Sequence, residues 1–162
     1  MPENIDDTLA TMTDAQILIA VEDAGAGEVL ARLAGALAAA EAEGPPAEEF
    51  ARALAARESV GSTALGKGVA LPHCRLPGLE HARVAIARSR NGVAFGAPDG
   101  APVRLFVALA TPSAAPGVHL RLLSELARRL RGGDIVARVL AASTAREIRE
   151  QLASAPAAAG VR

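Results

Sequence analysis

Tryptophan and tyrosine are missing from this 162-residue chain, and three phenylalanines are its only aromatic residues. With 51% of residues hydrophobic and 2% aromatic, its core must be assembled from Ala, Val, Leu and Ile. Cys74 is the only cysteine, so no disulfide can close within the chain and a reducing compartment is expected. Lys67 is the sole lysine, all other basic side chains being arginine apart from three histidines; together with the alanine abundance this reads as genomic nucleotide bias. A net charge of −1 argues against nucleic acid as the main partner, since neutralising phosphates calls for a basic surface. No apolar run approaches the roughly 20 residues that cross a bilayer, so membrane insertion is not expected. The acidic start, Met1 to Asp7, lacks the charged-then-apolar order of a signal peptide, and a cytoplasmic location is the expectation.

The length suits one domain with a single core. Residues 1–12 read as a short lead-in, and the alanine-rich 154–162 as a flexible tail. Thr13 and Gln16 have capping-box spacing, before a strand expected over Ile17 to Val21. Val29, Leu30, Leu33 and Leu37 make one apolar helical face, which Gly44-Pro45-Pro46 ends. A second helix follows with Phe50 and Leu54 inward and Arg57 near its C-terminus. Further strands are expected over Ala82 to Ala87, Val93 to Phe95 and Val103 to Leu109, with Asn91-Gly92 and Asp99-Gly100 as turns. Val118, Leu122, Leu126 and Leu130 recur every four residues as a helix; a short helix over Ile135 to Ala141 and a last one behind the Thr144–Glu147 capping box follow, the last burying Ile148 and Leu152. Strands alternating with helices indicate an α/β layer structure, while the hairpin-like turns exclude an all-parallel sheet. A mixed sheet of about five strands with helices on both faces satisfies both.

The densest chemical signal is Ser59 to His73. Gly61, Gly66 and Gly68 allow backbone amides to face a ligand, an arrangement suited to an anion. Val69, Ala70 and Leu71 read as a short strand whose hydrogen bonding Pro72 ends, presenting His73 at the strand end. Imidazole, neutral near pH 7 and able to form a labile phosphoryl bond, makes histidine phosphorylation the chemistry this pairing suggests. His73, Cys74, His81 and His119 together suggest zinc, but adjacent ligands at 73 and 74 are awkward and no carboxylate or second cysteine completes a familiar spacing. No metal and no cofactor are expected, and His81 reads as a surface residue.

The run Gly61, Ser62, Thr63, Gly66, Gly68, Ala70, Pro72, His73 resembles the IIA domain of the fructose/mannitol type in the bacterial sugar phosphotransferase system, a family that includes the nitrogen-regulatory IIA protein. Arg57 before the glycine segment, the run Val103 to Pro112, and His119 opening a helix extend the resemblance over about 13–153. It implies a mixed α/β fold and a phosphotransferase component with a phosphohistidine intermediate on His73. It also implies that His119, among first-turn amides, and Arg57, with its fork of donors, assist the transfer. Ser62 and Thr63 either donate to phosphate or cap the loop; Lys67 either meets the partner or is solvated. A residue as small as glycine often follows the histidine in the family, and Cys74 departs from that. The implied partners are a histidine phosphocarrier protein and then either a regulated target protein or a fructose- or mannitol-type IIB domain. With no fused IIB or IIC segment in the sequence, regulation is the favoured expectation, sugar transport the alternative and a metal-binding domain the remote one. The docking face is expected to be a shallow apolar patch rimmed by Leu71, Leu76, Leu79 and Val118.

Overall fold

A computed structural model describes residues 4–22, 24–132 and 134–154, so the tail expected at 154–162 lies outside the described residues beyond Ser154. Its centre is β6 (Val103–Pro112), aliphatic and buried along almost its whole length. On one side β6 pairs antiparallel with β5 (Arg83–Val93), which pairs parallel with β1 (Ile17–Leu18). On its other side lie β3 (Val69–Ala70) and β4 (His73–Leu76), both parallel to β6 and end to end along its edge. β2 (Ala64–Gly66) pairs antiparallel with β3, completing a mixed sheet of six strands among the described residues.

Alternation along the central strands sorts the core into two layers. Leu105, Val107 and Leu109 of β6, with Val84 and Ile86 of β5, pack against α1 (Ile5–Ala10), α4 (Pro116–Arg131), α5 (Ile135–Ala141) and α6 (Ala145–Ala153). The opposite face is small: Ala85, Ala87, Ala108 and Ala110 lie beneath α2 (Ala26–Ala38) and α3 (Ala47–Ser59). These alanines let the two helices approach closely, while Leu33, Leu37, Phe50 and Leu54 fill the space from the helix side. Phe95 meets Phe106 edge-on at 5.1 Å in the same layer.

Several expectations need correction. Within the expected lead-in 1–12, the described residues from Asn4 on belong to the packed fold: Asn4 caps α1 by accepting from the Asp7 N–H, and Ile5, Leu9 and Met12 enter the core. Six helical residues are too few to show a period, and their burial depends on α4 and α6 arriving to cover them. The Ile17 to Val21 strand shortens to Ile17–Leu18. The two strands expected before and after Asn91-Gly92 are one, β5, with a register shift between Arg88 and Val93. There the Glu22 carboxylate accepts from the Arg90 and Asn91 N–H groups and the Ser89 hydroxyl, standing in for a neighbouring strand. Gly92 is required at this point, since a Cβ would lie 2.6 Å from Pro102.

Three arginines are buried, each bound to carbonyls at a helix end. Arg83 donates to Leu37 and Ala38 at the end of α2, Arg88 to Val139 and Ala142 at the end of α5, and Arg129 to Ala153 at the end of α6. Helix C-termini carry unsatisfied carbonyls and partial negative charge, and a guanidinium answers both.

Candidate active site

The C-terminal turn of α3 and the start of β4 set the centre of the site. Arg57, in that last helical turn, donates from Nη1 to the Gly61 carbonyl at 2.9 Å and from Nε to His73 Nε2 at 3.2 Å. His73 Nδ1 lies 2.8 Å from the Leu71 carbonyl. Arginine only donates and a carbonyl only accepts, so both contacts require the same tautomer: the proton on Nδ1, the lone pair on Nε2. Pro72 leads into this geometry without ending the edge, because its carbonyl accepts from the Leu109 N–H at 2.9 Å and β4 resumes pairing at His73. The expectation that Pro72 stops the hydrogen bonding is thereby corrected: only its missing N–H interrupts the ladder.

His119 arrives from the other side, in the first turn of α4 behind Pro116. Its ring is 5.6 Å from that of His73 between centroids, tilted by 48°, and its Nδ1 is 2.6 Å from Thr111 Oγ1. Arg57, His73, Cys74 and His119 thus line one open cavity of about 710 Å³. Its apolar margin is built by Ala56, Pro116 and Leu120, the last 67% exposed. Leu71, Leu76 and Leu79, expected on the rim, are core residues, and Val118 is half-buried against α4's own layer. Flanking a histidine in sequence does not place a leucine beside it when the strand buries alternate sides.

The glycine segment also differs from expectation. Gly66, Lys67 and Gly68, with φ of 89°, 56° and 79°, form the tight turn between β2 and β3. The Lys67 N–H donates to the Asp99 carboxylate at 2.8 Å, the Gly68 carbonyl accepts from Arg104 and Leu105, and none of the three lines the cavity. The glycines make a hairpin, and no anion cradle is left there. Ser62 Oγ donates to the Phe95 carbonyl at 2.6 Å and accepts from the Ala64 N–H at 3.1 Å. Thr63 Oγ1 and N–H both donate to Glu58, the hydroxyl at 2.6 Å. Both residues line a second space of about 220 Å³ adjoining His73, with their hydroxyl protons already engaged in fastening the segment after α3. Thr111 is a site residue that sequence reading missed; only its i−8 relation to His119 across a loop could have signalled it, and that relation is meaningful only once β6 and α4 are placed.

Burial holds the His73 ring below the ordinary imidazole value of 6.5; the Arg57 cation acts the same way, against the Leu71 hydrogen bond and Glu58, which raise it. Burial, then His73 and Arg75, push His119 down to about 4. Both rings are therefore neutral at pH 7. Burial likewise raises the Cys74 thiol to about 12, keeping it protonated and a poor metal ligand. His81 is half-buried and does not line the cavity.

The His119 shift carries a stability consequence. The ring titrates near 6.5 when unfolded and near 4 when folded, so between these values the unfolded chain binds more protons. The stabilisation by a neutral buried ring is complete above pH 6.5 and is lost as pH falls toward 4. Urea unfolding at pH 7 and pH 4.5 is expected to show a larger loss of stability in the wild type than in His119→Gln; equal losses would contradict the buried neutral ring.

Residues 12–155 match the family described as the phosphoenolpyruvate-dependent sugar phosphotransferase system, EIIA 2, and the chain belongs to that family. It is 38% identical to a nitrogen regulatory protein of Pseudomonas aeruginosa over 83% of this chain and 86% of the relative. It is 34% identical to the fructose-specific EIIA component of Haloferax volcanii over 62% of this chain and 66% of that protein. Among solved structures, the nitrogen regulatory protein IIA-Ntr of Neisseria meningitidis superposes with a TM-score of 0.80 at 33% identity, covering 91% of this chain and 98% of that one.

Proposed function

We propose that this protein is a phosphoryl carrier that accepts phosphate on His73 Nε2 from a phosphorylated histidine phosphocarrier protein, and that it acts in phosphotransferase-dependent regulation. The observation that carries the reading is the His73 ring itself: Nδ1–H tied to the Leu71 carbonyl, the Nε2 lone pair facing the cavity and accepting at rest only from the Arg57 guanidinium, and His119 beside it. As the new Nε2–P bond forms, the P–N bond of the donor phosphohistidine breaks and its electron pair returns to the donor ring. No proton leaves His73; the positive charge its ring acquires is stabilised through Nδ1–H and the Leu71 carbonyl. Arg57 holds the lone pair at rest and moves its donors to the phosphoryl oxygens as they arrive, with His119 as a second donor. Ser62 and Thr63 support the phosphate by holding the Arg57 segment. A cytoplasmic location accords with this role, and no helix of the described residues is long and apolar enough to cross a membrane.

The regulatory reading is supported by similarity to proteins named as nitrogen regulatory over most of both chains. The likeness to a fructose-specific EIIA component keeps a second reading open, transfer onward to a fructose- or mannitol-type IIB domain. The test is to incubate the chain with a histidine phosphocarrier charged from phosphoenolpyruvate, magnesium serving only the upstream enzyme. One acid-labile phosphoryl group per chain is expected, and none would overturn the proposal. Adding a fructose-type IIB domain should then leave the label in place; rapid stripping would instead favour transport.

Arg57→Ala and His119→Ala are expected to slow uptake without abolishing it. Each removes one charge-assisted or buried donor to phosphate, worth roughly 1.5 to 3 kcal/mol, or about ten- to a hundredfold in rate. Rapid-quench kinetics measure this directly, and wild-type rates in both variants would return the two residues to structural roles.

A further inference from the structure

We propose that Thr111 is a positioning residue that holds His119 as its Nε2–H tautomer, so that the two facing histidines present opposite functions to the same cavity. Thr111 is fully buried in β6, its backbone paired with Arg75 of β4. Its Oγ1 lies 2.6 Å from His119 Nδ1, and either atom is able to donate. Among the described residues this is the hydroxyl's only hydrogen bond. Were the proton on Nδ1, the hydroxyl would have to accept, and its own hydrogen would be left buried without an acceptor, a costly arrangement. With Oγ1–H donating to Nδ1, both groups are satisfied and the ring proton sits on Nε2.

The consequence follows from the other ring. His73 carries its proton on Nδ1 and its lone pair on Nε2, as Arg57 and Leu71 together require. His119, of the opposite tautomer, lines the same cavity, and its Nε2 makes no hydrogen bond among the described residues. One ring thus supplies the attacking lone pair and the other an N–H for a phosphoryl oxygen. Because His119 stays neutral down to about pH 4, that N–H is present at working pH without adding a positive charge that would hold the phosphate too firmly for onward transfer. The tautomer assignment stands on the buried hydroxyl alone; its use in phosphoryl transfer rests on the proposed function above.

Long-range 1H–15N NMR of the ring nitrogens tests this in the unmodified, unphosphorylated chain at neutral pH. His119 should show a protonated Nε2 and an unprotonated Nδ1, and His73 the reverse. A protonated Nδ1 on His119 would overturn the proposal. Thr111→Val, which keeps the shape and removes the donor, is expected to give a mixture of His119 tautomers and to slow phosphoryl uptake by roughly three- to tenfold. Thr111→Ser should restore both. Wild-type tautomer and rate in Thr111→Val would overturn the positioning role. A chain that shows the expected tautomers yet takes up no phosphate would support the Thr111 assignment and overturn the proposed function, so the two fail separately.

Discussion

Phosphoryl uptake is expected to fall to background when His73 is changed to alanine, with the fold retained. Two imidazoles line the cavity, and only one has a lone pair available to attack: His73 Nε2, whose other nitrogen is committed to the Leu71 carbonyl. His119 offers a proton where a nucleophile needs a lone pair, so it should not substitute as acceptor. The ring at position 73 is half-buried at the start of an edge strand, and removing it deletes two side-chain hydrogen bonds but no part of either core layer. Loss of each such bond costs about 0.5 to 1.5 kcal/mol, which a domain of this size tolerates. Far-ultraviolet circular dichroism should therefore match the wild type while acid-labile labelling disappears. Labelling of His73→Ala at the wild-type level would remove His73 from the mechanism, and label appearing on His119 would contradict both its tautomer and its role.

The second large effect concerns stability. Arg88→Ala is expected to destabilise the fold by roughly 3 kcal/mol or more, because it strips donors from several buried carbonyls at once. Arg88 Nε donates to the Ile19 carbonyl and Nη1 to those of Val139 and Ala142, the latter at 2.8 and 2.6 Å, and the residue is 3% exposed. One guanidinium thereby ties the chain after β1 to β5 and to the end of α5. Alanine leaves these acceptors without partners and a cavity where the side chain lay. Arg88→Lys should recover only a small part, since one ammonium cannot reproduce a planar fork directed at two groups of carbonyls. Chemical denaturation measures both variants. A loss under 1 kcal/mol for Arg88→Ala would show that water replaces the guanidinium and that the buried contacts contribute little.

Arg83, Arg88 and Arg129 show where residue-level reading runs out. In the expected strand over Ala82 to Ala87, nothing local says which side Arg83 takes or whether it is buried. It is buried because a helix from elsewhere in the chain ends over it and leaves carbonyls to satisfy. The same limit explains the glycine segment. Gly66 and Gly68 are consistent with an anion loop or a tight hairpin, and the choice rests on Asp99 arriving to accept the Lys67 amide. The docking rim failed for a related reason: Leu71, Leu76 and Leu79 are near the histidines in sequence, but the strand directs them into the core, and the exposed apolar margin comes instead from α3 and α4.

By itself the amino-acid sequence determined the elements with strong period or punctuation: α2, α3, α4 and α6, the β6 strand, the mixed α/β architecture, and the family, through Pro72-His73 and its surroundings. Those features are local, because apolar spacing, proline and capping residues act within a few positions of themselves. Only the tertiary structure decided that residues 5–10 form a core helix, that one long β5 replaces a hairpin, and that Arg57, His73, Thr111 and His119 meet. Each of those outcomes depends on a partner brought in from far along the chain. Burial, a hydrogen-bonding partner and the tautomer of a ring are properties of a neighbourhood, and the neighbourhood exists only after the chain has folded.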